Sequence, residues 1–119
     1  MSFALDLDQI AQLSETRFEQ RLAQILAQDD PAAQTLLASD QGVEVLRQQC
    51  AKSKSFGMVS ELDVAKYVIT AWTLGPDFDT RFFAMAEILG TDRLTPAQKA
   101  DALERVCTSV MAALQQGGN

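Results

Sequence analysis

The stretch SELDVAKYVITAWTLGP, residues 60–76, decides the fold predicted for this chain. Its opening serine and the two acids that follow are typical of a helix start, because a serine oxygen caps first-turn N–H groups and acids suit the helix dipole. Gly75-Pro76 is a common way to end a helix. Between these ends the residues are mostly apolar on every side, as in a buried helix. We therefore predict a central apolar helix at about 61–74, with Trp72 largely buried.

Helical spacing of apolar residues continues on both sides of this segment, and no alternation is long enough to predict a strand. Further helices are predicted at about 8–28, 32–38, 40–55, 79–89 and from 96 towards the C-terminus. Asp40 is expected to cap the third of these helices, and Asp79 or Thr80 the short helix that ends near Leu89. Thr95, Pro96 and Gln98 form a capping-box start for the last helix. The predicted fold is all-α, a single compact bundle of about five to six helices.

Length and composition agree with one globular domain. The chain has 119 residues, of which 47% are hydrophobic and 22% charged, and it contains no repeat or long linker. A chain of this size can bury a core without metal or disulfide support. We expect a single helical domain over residues 1–119, with fraying at 1–6 and 116–119.

The charge distribution is acidic and uneven. The net charge is −6, and residues 1–46 hold eight acidic and two basic residues, so this segment accounts for the whole excess. Nucleic acids and anionic membrane surfaces attract basic proteins, so neither is an expected partner. The acidic segment is either an ordinary solvated surface or a face that meets a basic partner.

The residues offer little for catalysis. The chain has no histidine, which excludes histidine-dependent nucleophile pairs and the commonest metal ligand. Asp77 and Asp79 could hold a hard cation, but their spacing is not that of an EF-hand, and a capping role for Asp79 is the favoured explanation. We predict no enzyme activity, no cofactor and no metal. Whether Cys50 and Cys107 lie close together is left open by the sequence.

The N-terminal residues lack the basic and apolar regions of a signal peptide, and no apolar run is long enough to span a bilayer. We therefore expect a cytoplasmic protein without membrane insertion.

An ordered set of short motifs carries a family resemblance. It comprises FGMVSELDVAKY at 56–67, GPDFD at 75–79, Ile88-Leu89 and LTPAQK at 94–99, with an opening pattern of Leu13, Phe18 and Leu22. The chain resembles a family of small helical proteins encoded in bacterial type VI secretion effector clusters. Met58-Val59 departs from the isoleucine-threonine type of pair that is usual there. The resemblance covers about residues 8–107.

The resemblance implies a co-chaperone that assists a dedicated chaperone in loading an effector, with a protein partner and no catalytic motif. The alternative is an immunity protein, or another acidic helical binding module, that masks a toxin. Phe82 and Phe83 are adjacent, about 100° apart on a helix, so one ring can be less buried and serve as an anchor. The alternative, which the sequence slightly favours, is that both rings belong to the core. The candidate partner-binding residues are Phe82, Phe83, Phe78 and Asp79.

Overall fold

A computed structural model of the protein describes the backbone of residues 7–117 and the side chains of residues 17–116. Within this part of the chain there are seven helices and no strand, which confirms the all-α prediction with one helix more than expected. The helices are α1 (Leu7–Ala27), α2 (Pro31–Leu37), α3 (Asp40–Ser55), α4 (Glu61–Leu74), α5 (Phe78–Arg81), α6 (Phe83–Gly90) and α7 (Pro96–Gly117). The fraying predicted for 1–6 and 118–119 lies outside the described residues, while α7 extends through 116 and 117.

The chain divides into two compact units, residues 1–46 and residues 47–119. The single domain over 1–119 therefore stays a prediction. The boundary coincides with the charge asymmetry, because the whole net negative charge lies in the first unit.

Local capping residues organise the first unit. Asp29 takes a left-handed conformation with φ 58° after α1. The Oδ1 atom of Asp30 then accepts a hydrogen bond from the Ala33 amide at 3.2 Å, and Pro31 begins α2. At the start of α3 the cap is Ser39, whose Oγ accepts from the Gly42 amide at 3.1 Å. The prediction that Asp40 caps α3 was wrong, because Asp40 is already the first helical residue.

The second unit confirms the capping signals that were predicted for it. Ser60 Oγ accepts a hydrogen bond from the Asp63 amide at 3.1 Å and starts α4. Thr95 Oγ1 accepts from the Gln98 amide at 3.2 Å, while the Gln98 side chain accepts from the Thr95 amide at 2.9 Å, completing the capping box. Gly75, with φ 113°, follows α4 in a backbone conformation that L side chains rarely adopt.

The core of the second unit forms around Tyr67. This ring is fully buried and lies between Phe56 and Phe78, with centroid distances of 5.9 and 5.0 Å. Offset and tilted aromatic pairs at these distances add stabilisation to that of the buried area. The other fully or nearly fully buried apolar side chains of this unit are Cys50, Met58, Val64, Val68, Ala71, Met85, Leu89, Ala100 and Leu103.

One face of α4 is not covered, contrary to the prediction of a helix buried on all sides. α4 packs against α7 and α5. On its outer face, however, Leu62 is 64% exposed and Ile69 39% exposed. Trp72 is only partly buried.

The helix predicted to end near Leu89 is divided in two. Phe82 has φ −103° and ψ 118°, an extended conformation that separates α5 from α6. Asp79 caps neither helix: it lies inside α5, so that prediction was wrong. No helix in the described part of the chain is long and apolar enough to cross a membrane.

Candidate functional site

A concave surface of the second unit lies between α4 and α7, and we call it the α4–α7 groove. Its volume is about 650 Å³. The apolar side chains that line it are Leu62, Ala65 and Ile69 of α4 with Cys107, Met111 and Ala112 of α7. All three of the α4 residues lie on one helix face because they are separated by three or four positions.

The two helices run in the same direction along the groove. Pro96, the first residue of α7, lies beside Gly57, which precedes α4, and a Cβ on Gly57 would be 3.2 Å from the Pro96 ring. Lys66, near the middle of α4, reaches Glu104. Thr73, near the end of α4, is hydrogen-bonded to Cys107. Successive turns of α4 thus face successive turns of α7, and the groove follows both helices.

A charged cluster crosses the groove. Lys66 Nζ bonds to the carboxylate of Asp101 and lies 3.3 Å from Oε2 of Glu104. The hydrogen bond from Lys66 holds the pKa of Asp101 below its ordinary value, and the same bond raises the pKa of Lys66. One ammonium therefore faces two carboxylates, and the charge of Arg105 also acts on Asp101, so positive and negative charges balance here.

The threonine hydroxyls of the groove are already satisfied. Those of Thr70 and Thr73 donate to the carbonyls of Lys66 and Ile69 at 2.8 Å each, and that of Thr108 donates to the Glu104 carbonyl at 2.9 Å. Such bonds hold the hydroxyl protons within their own helices. Thr73 has a second partner in the groove, the thiol of Cys107.

Cys107 places a thiol in this groove. It is partly exposed, whereas Cys50 is buried, and both are present as thiols. Burial raises the pKa of the Cys107 thiol, and the hydrogen bond with Thr73 opposes that effect. A raised pKa lowers the fraction of reactive thiolate at neutral pH.

The four candidate residues predicted from the sequence fall into two pairs. Phe83 is 76% exposed at the start of α6, and Phe82 is partly buried with the Arg81 guanidinium 5.7 Å from its ring centroid. Phe78 is fully buried against Tyr67. Asp79 is buried too, so Phe78 and Asp79 offer no surface to a partner in this structure.

The Asp79 carboxylate instead forms an ion pair with a lysine of α3. Its Oδ2 atom lies 2.9 Å from Lys52 Nζ, so the cation beside it is supplied by the chain itself. Asp79 Oδ1, the Tyr67 hydroxyl and Gln49 Oε1 are buried and have no hydrogen-bond partner among the described residues. Burial, and secondly the charge of Asp79, raise the pKa of Tyr67.

No constellation for metal binding is found in the part of the chain with described side chains, where no three cysteine or carboxylate residues come together. The α4–α7 groove was not predicted from the sequence, because residues 61–74 are apolar on most sides and no charged face marks the exposed one. The available signal was the spacing of Leu62, Ala65 and Ile69. In comparisons with known proteins, no protein family, no curated protein and no solved structure matches this chain.

Proposed function

We propose that this protein is an accessory binding factor, a co-chaperone that helps a dedicated chaperone to stabilise or load a type VI secretion effector. The observation that supports a binding role is the α4–α7 groove, where apolar side chains of two helices remain open to solvent. The link to type VI secretion comes from the motif resemblance alone and is part of the proposal.

The energetic argument starts from the exposed apolar side chains. Leu62 is 64% exposed and Ile69 39% exposed in the groove, and Phe83 is 76% exposed on α6. Full burial of one such side chain contributes about 1.5–3 kcal/mol. Aromatic residues such as Phe83 commonly provide a large share of interface energy. Covering these residues with a partner would recover the hydrophobic stabilisation that folding alone leaves unused.

An immunity protein that masks a toxin is the second candidate. It is favoured by the first unit, whose residues 1–46 hold the entire net charge of −6. An acidic protein that covers a basic active site gains both association rate and specificity from such a charge.

The experiment is affinity purification of the tagged protein from its native host, with mass spectrometry of the captured proteins. Capture of an effector together with its chaperone, both encoded beside a secretion spike gene, supports the co-chaperone. Capture of a toxin alone, with growth inhibition after deletion of this gene, supports the immunity protein. If neither an effector with its chaperone nor a toxin is captured, and the purified protein alone shows catalytic turnover, both proposed functions are overturned.

Two variants test whether the partner binds at the α4–α7 groove or at Phe83. Leu62→Glu places a charge in the groove and Phe83→Ala shortens the exposed ring; both positions are exposed, so the fold should be kept. We expect at least one of them to reduce capture about tenfold, which corresponds to about 1.4 kcal/mol. Glu87→Ala, at another exposed position of α6, is the matched control and should capture as the wild type does.

A further inference from the structure

We draw no further inference here: the strongest candidate, the apolar α4–α7 groove with Leu62 and Ile69 open to solvent, carries nothing, because its lining balances one cation against one anion and nothing in the structure shows what covers it.

Discussion

The Nζ atom of Lys52 lies 2.9 Å from Oδ2 of Asp79, so an ion pair links the end of α3 to α5. The two partners are not equally buried: the Lys52 side chain is 38% exposed and that of Asp79 only 9%. This asymmetry determines what happens when either partner is removed.

We expect Lys52→Met to cost about 3 kcal/mol of unfolding free energy, because it leaves a buried carboxylate without its counter-charge. Asp79→Asn should cost about 1 kcal/mol, since the remaining lysine can turn towards water. Urea unfolding of both variants checks the order. The double variant Lys52→Met with Asp79→Leu should recover most of the loss, and equal losses from the two single variants would contradict the argument.

Tyr67→Phe should change stability by less than about 1 kcal/mol and could increase it, because the hydroxyl is buried without a hydrogen-bond partner among the described residues. Tyr67→Ala is the control, with a loss of about 3–5 kcal/mol from removal of a core ring. A loss above about 2 kcal/mol for Tyr67→Phe would show that the hydroxyl has a partner.

The ionisation of Tyr67 can be followed directly by absorbance, since it is the only tyrosine of the chain. Its pKa is raised from the ordinary value of 10.0 by burial and then by the charge of Asp79. The neutral phenol is thus favoured by folding. Its contribution to stability is fully present below pH 10.0 and is lost as the pH rises towards the folded-state pKa.

We therefore expect the tyrosinate absorbance to appear only together with loss of the helical circular dichroism signal. Tyr67→Phe should shift alkaline unfolding to higher pH. A phenolate signal that develops near pH 10.0 in a fully helical protein would mean that Tyr67 is accessible to water.

Gly42→Ala should destabilise the first unit by about 1–3 kcal/mol. A Cβ at this position would lie 1.9 Å from the Leu36 carbonyl oxygen, which is a backbone atom and cannot turn away. Gly90→Ala is the matched control, because nothing lies within 4 Å of its added Cβ. That variant should be neutral or more stable by about 0.4–1 kcal/mol. The melting temperatures of the two variants test this prediction. Equal melting temperatures would contradict the close packing of Gly42 against Leu36.

Phe78→Ala should lower the stability of the protein, whereas Phe83→Ala should lower partner capture. Phe78 is fully buried, so its truncation should cost about 3–5 kcal/mol. Phe83 is 76% exposed, so its truncation should change stability by less than about 0.5 kcal/mol and act on partner capture instead. Melting temperature and capture are measured on the same preparations. If Phe83→Ala lowered the melting temperature as much as Phe78→Ala, Phe83 would belong to the core.

The sequence by itself determined that the chain is helical and where most of its helices begin and end. The signals at Ser60, at Thr95 with Gln98, and at Gly75 act through hydrogen bonds and backbone angles within a few residues, so they can be read locally. The bounds of α4 were predicted to within a residue for the same reason. Those of α3 were predicted equally closely, although its cap is Ser39 and not Asp40.

Only the tertiary structure decided which surfaces are covered. Val64 and Leu62 are equally apolar, yet α4 buries the first and exposes the second, because the packing of neighbouring helices and not the residue type selects the covered face. Asp79 is a similar case, since its local sequence favours a cap. A lysine from α3, far away in the chain, instead holds its carboxylate inside the unit. Periodicity cannot reveal such long-range contacts, and the α4–α7 groove depends on them in the same way.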